Sequence, residues 1–246
     1  MGELAPRAPA QVGPVAARLT AQDLDRGERG RLLVQLAGLL GSGARAAGAR
    51  AALSGRWLTD LVAEAAVHVP VRDLLTLRSH FGGLSGDELA DALIRSAART
   101  TAGIGAAAGA LAAVEVAAPP ALLAAPVQVA AETLAVITVE VKLVAELHVV
   151  YGRAPQGTLA QVGVAYLGSW VTRKGLDPRS GAGLASVLSS AAKAQLRGRI
   201  LRRLGRNLGS LAPFLAGAVA GAELNRRETR ALGESLRTSL GGRRPG

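Results

Sequence analysis

The chain has 246 residues, 49% of them hydrophobic and only 2% aromatic, with 29 basic and 18 acidic side chains and a formal charge of +11. This apolar content suffices for a core and excludes a disordered chain, while the few aromatic rings argue against stacked recognition of nucleobases or sugars. Cysteine is absent, which removes disulfides, zinc–thiolate sites and thiol nucleophiles together and fits a reducing compartment.

Residues 1–18 are rich in Ala and Pro without an apolar period or a signal-peptide core, so they read as a flexible tail. Thr20 and Asp23 then resemble a helix start. Leu32, Leu33, Leu36, Leu39 and Leu40 follow at helical spacing until Gly41-Ser42-Gly43 interrupts them, and small residues continue to about residue 54. Residues 57–69 predict a second amphipathic helix stopped by Pro70, and residues 71–80 a third, ended by Gly82-Gly83. Ser85 and Glu88 form the pattern of a capping box for a fourth.

Residues 102–131 contain a single ionisable side chain, Glu115. Pro119-Pro120 splits this run into halves too short to cross a bilayer, since about 20 strongly apolar residues are needed. The expectation is a central Ala/Gly-rich helical hairpin with Ile104, Ala108, Leu111, Val114, Leu122 and Leu123 as membrane-contact candidates and Glu115 near its tip. Residues 127–150 predict a Val-rich helix, buried over most of its circumference, with Gln128, Glu132, Lys142 and Glu146 on one side. Residues 158–171, 184–208, 211–222 and 225–240 supply further helices, the last with Leu232, Leu236 and Leu240 at fourfold spacing. No period-two strand is legible. The fold class is therefore all-α, a multi-helix bundle around the apolar hairpin.

Gly105 and Gly109, and Gly217 and Gly221, are small-xxx-small pairs that let helix backbones approach closely, in a membrane or in a tightly packed soluble bundle. The phosphate-loop, GxSxG and HExxH patterns are missing, and Gly103-Ile-Gly105 lacks the third glycine of a dinucleotide loop at the right spacing. Asp60, Glu64 and His68 stand at i, i+4 and i+8, which offers two carboxylates and an imidazole to a metal if His80 or His148 approaches; otherwise they form a solvated helix face.

The positive charge is unevenly placed: residues 1–151 carry 13 basic and 14 acidic side chains, residues 152–246 carry 16 and 4. Within the basic third, Leu196, Ile200, Leu204 and Leu208 share one helix face while Arg199, Arg202, Arg203 and Arg206 gather on another, the pattern of a helix that lies on an anionic surface or docks its leucines on a core.

The run from Ala212 to Glu234, with Pro213, Gly217, Gly221, Asn225, Thr229 and Arg230, resembles the EcsC family of bacterial proteins. The run Ala98-Arg-Thr-Thr-Ala-Gly-Ile-Gly-Ala-Ala-Ala-Gly109, the Pro-interrupted apolar segment and the helix closing at Tyr151-Gly152 agree with it, over roughly residues 57–240. The resemblance implies helical, membrane-associated proteins named for a gene neighbour of an ABC transporter, with no established activity and no catalytic residues to transfer. The long Pro-containing tail and high alanine content depart from that pattern. The expected organisation is a tail over 1–18, a helix and linker over 19–54, an EcsC-like domain over 55–240 and a basic tail over 241–246. The expected role is non-enzymatic, without a cofactor, at the cytoplasmic face of the cell membrane. Its expected partners are anionic lipid and a protein of a transporter or envelope process. Nucleic-acid binding through the basic third and metal-dependent hydrolysis around His68 are the alternatives.

Overall fold

The helical periods become eight α-helices and no strand among the described residues of the computed structural model, which are 11–47, 56–116, 125–173 and 212–241. They are α1 (Val12–Arg18), α2 (Arg26–Ala47), α3 (Arg56–Val67), α4 (Leu74–His80), α5 (Gly86–Val116), α6 (Ala125–Val150), α7 (Leu159–Arg173) and α8 (Ala212–Gly241). The protein is all-α, a multi-helix bundle.

Several boundaries correct the sequence reading. The supposed tail is helical from Val12, because Val12, Val15, Ala16 and Leu19 fall at i, i+3, i+4 and i+7 and all are buried. Asp25, not Thr20 or Asp23, starts α2. Its carboxylate accepts from the Glu28 N–H at 2.8 Å, and Glu28 accepts from the Asp25 N–H at 3.1 Å. Gly41-Ser42-Gly43 does not interrupt α2, which continues to Ala47 with Leu33, Leu36 and Leu40 buried. Asp73 caps α4 by accepting from the Thr76 N–H at 2.8 Å, an exposed arrangement that lowers the pKa of its carboxyl chiefly through that backbone bond. The helices read at 211–222 and 225–240 are one, because nothing in Glu223-Leu224 breaks the backbone ladder of α8.

α6 is the axis of the bundle and packs against α1, α2, α3, α5, α7 and α8. That surround explains its composition. Leu134, Ala135, Ile137, Val139, Val141, Leu143, Val144 and Leu147 cover most of its circumference and are all buried, each fully buried large side chain contributing about 2 kcal/mol by transfer. α5 and α8 run antiparallel beside it. Gly105 meets Gly221, Ile94 meets Gly233, Arg237 meets Asp91 and Gly241 meets Asp87, a register held over about 27 Å. The polar end of this pair is closed by the Tyr151 hydroxyl, which donates to Asp87 at 2.6 Å; burial first, then that bond, raises the tyrosine pKa.

Candidate functional site

A layer of polar side chains crosses the apolar core where α5, α6, α7 and α8 meet. Glu140, 1% exposed, lies in the Val-rich middle of α6. The Trp170 indole of α7 donates to one of its carboxylate oxygens at 2.7 Å, and the Thr229 hydroxyl of α8 lies 3.1 Å from the other. The Thr101 hydroxyl of α5 lies 3.0 Å from that of Thr229 and donates to the Asn225 carbonyl of α8 at 3.3 Å. One turn further, the Asn225 amide donates to the buried Glu132 at 3.2 Å. Each helix thus contributes a group that pairs only at one register. Such a layer specifies alignment in a bundle whose Ala and Gly surfaces alone would slide.

A second cluster stands nearer the C-terminal end of α6. Arg72, just before α4, grips Glu146 with two bonds of 2.8 Å, and Lys142 lies 3.8 Å from the same carboxylate. Burial lowers the Lys142 pKa, and neighbouring Glu146 opposes that shift. On α2, the guanidinium of buried Arg29 lies on the backbone of α5 at Gly103, where a Cβ would overlap it; its Nε has no hydrogen-bond partner among the described residues, and burial lowers its pKa.

The structure separates the residues singled out by sequence. Ile104 and Ala108 are buried in the protein core, and Gly105 faces Gly221. Gly109 is part of α5 and half-buried. Leu111 and Val114 belong to α5 and Gly217 to α8, but their side chains, like Leu122, Leu123 and the basic stretch with Arg199, Arg202, Arg203 and Arg206, lie outside the described residues, as do residues 1–10 of the expected tail, residues 48–55 around the expected boundary at 54/55, and residues 242–246. Asp60 and Glu64 lie on α3, but His68 stands in the turn just after its last residue, Val67. The His68 Nδ1 faces the Glu64 carbonyl at 2.9 Å, its ring covers Gly13 of α1, and Asp60 is exposed. His148 turns its Nδ1 to the Val144 carbonyl at 2.7 Å and packs its ring against Tyr166. Among the described residues no three His, Asp or Glu side chains gather as a metal site.

Glu140 and its partners were missed at the sequence level because Glu140 lies off the side shared by Glu132 and Glu146, and neither Trp170 nor Thr229 is adjacent in sequence. The available signal was an acid in the run Ile137-Thr-Val-Glu-Val, which a buried helix tolerates only with donors nearby.

Comparisons with family models, curated proteins and solved structures return no match for this chain.

Proposed function

We propose that the protein is a non-enzymatic, peripheral membrane protein whose basic C-terminal third meets anionic headgroups. The observation that carries this reading is the charge division, 16 basic against 4 acidic side chains in residues 152–246. Among the described residues no helix is long and apolar enough to cross a membrane, so the reading takes the surface-bound form. The resemblance to the EcsC family points the same way and belongs to the proposal, as do a location at the inner membrane face and an accessory role beside a transporter or envelope protein.

The test is sedimentation with vesicles. The wild-type chain should pellet with vesicles containing phosphatidylglycerol and stay in solution with pure phosphatidylcholine. Reversal of Arg199, Arg202, Arg203 and Arg206 to Glu should nearly abolish pelleting, because each arginine near an anionic surface contributes about 1 kcal/mol. Equal pelleting of wild type and variant sinks the role of these arginines, and retention of RNA by the wild type alone favours the nucleic-acid reading.

A further inference from the structure

Near the start of α2, Arg29 is a buried cation without a countercharge. It is 8% exposed, and among the described residues no acid lies within ion-pair distance of it. The nearest acids in sequence, Asp25 and Glu28, are committed to each other's backbone N–H. An arginine does not shed its proton to escape burial, so the charge stays. Its guanidinium lies along α5 at Gly103, with Cζ 3.3 Å from where a Cβ would stand. A residue that is a poor helix former thus makes room for that charge in the middle of α5. Among the described residues the one hydrogen bond of the side chain runs from Nη2 to the Ala21 carbonyl at 3.5 Å, the outer limit for such a bond, and Nε has no acceptor. Nε and Nη2 form one edge of the guanidinium, the edge with which arginine grips an oxyanion through two parallel bonds. The protein itself leaves that edge almost unused.

A second arginine stands close by. Arg99 precedes Gly103 by four residues, one turn earlier on the same side of α5, and is exposed without an ion pair among the described residues. We infer that the seam between α2 and α5 binds a phosphate group, with Arg29 as its buried fork and Arg99 as its solvent-side partner. Access runs through the turn between α1, which ends at Arg18, and α2, which starts at Arg26. That turn lays the Ala21 carbonyl against Arg29 by the long Nη2 bond, and phosphate oxygens replace this weak acceptor. A phosphate monoester carries a charge of about −1.5 to −2 at pH 7 and offers oxygens in more than one direction, which suits two arginines; chloride neutralises one and takes no paired bonds. The inference does not depend on the membrane reading, because both arginines lie before the basic residues 152–246 that carry it. The phosphate is either free or part of a lipid headgroup, and the test separates the two.

Thermal unfolding of the full-length protein would be followed in inorganic phosphate and in chloride at equal ionic strength. The wild-type midpoint should rise saturably with phosphate. Without phosphate, Arg29→Met should unfold at a higher temperature than wild type, because it buries an apolar chain in place of an unpaired charge, and phosphate should reverse that order. Calorimetric titration should show phosphate binding weakened at least about tenfold in Arg29→Met and about threefold in Arg99→Gln. Vesicles of phosphatidic acid that compete with free phosphate for the wild-type protein assign the site to a headgroup, and a failure to compete assigns it to a soluble phosphate; both results uphold the site. Equal midpoint rises in wild type, Arg29→Met and Arg99→Gln would show phosphate acting through general salt exclusion and would overturn the inference. So would an Arg29→Met chain that cannot fold together with an Arg99→Gln chain that responds to phosphate as wild type does.

Discussion

Gly105 and Gly221 face each other across the α5–α8 pair, but not symmetrically: a Cβ on Gly105 would stand 2.9 Å from the Gly221 carbonyl carbon and oxygen, whereas one on Gly221 would meet the Gly105 oxygen at 3.6 Å. The Gly221 backbone cannot yield at the first site, and the Asn225 amide nitrogen, 2.7 Å from the same Cβ, is held by Glu132. Gly105→Ala should therefore cost about 2 kcal/mol, the overpacking penalty exceeding the roughly 1 kcal/mol gained in helix propensity. Gly221→Ala, in ordinary contact distance, should be neutral or stabilise by up to about 1 kcal/mol. Urea denaturation of the two variants measures the difference, and equal effects would show that the helices do not approach as described.

The carboxylate of Glu140 is held by groups on two other helices, so its removal strands donors that water does not reach. Glu140→Leu should destabilise by about 3 kcal/mol, while Glu140→Gln keeps an acceptor for Trp170 and should cost about 1 kcal/mol. Trp170→Phe removes the 2.7 Å donor and should cost about 2 kcal/mol, part of it lost packing. A double-mutant cycle between Glu140→Leu and Trp170→Phe that returns no coupling energy would contradict the bond.

What could be read from sequence followed from periods that tolerate error. Leu232, Leu236 and Leu240 at fourfold spacing are buried on α8, and the Val-rich α6 is enclosed as its composition demands. Helix ends were less legible, since Val12 to Leu19 make a full apolar stripe that the prolines before it obscured, and Gly41-Ser42-Gly43 is carried through because neighbouring leucines are anchored on the core. Gly105 and Gly221 could be picked as small residues, but their pairing depended on an antiparallel register that no local pattern encodes. The polar layer was least legible. Glu140, Trp170, Thr101 and Thr229 are far apart in sequence, and only tertiary packing brings them to one height.

Arg72 and Lys142 both approach Glu146, yet they contribute differently. Arg72 is the bidentate partner of a carboxylate that is 3% exposed, so Arg72→Ala should cost about 3 kcal/mol by leaving a buried charge with only the more distant ammonium. Lys142 suffers from its burial, which lowers its pKa, so the folded state gives up the lysine proton more readily than the unfolded chain does. The unfolded state then binds more protons between the folded pKa and the ordinary 10.5, and stability from this group rises with pH across that window. Below it, the charged lysine carries its full desolvation cost. Lys142→Met should therefore be neutral or mildly stabilising at pH 7, and its advantage over wild type should shrink as pH climbs toward 10.5. The difference between the two denaturation curves isolates Lys142, because Tyr151, whose raised pKa works in the opposite direction at high pH, is common to both. An advantage that grows with pH would mean that Lys142 is stabilised by Glu146 more than it is penalised by burial.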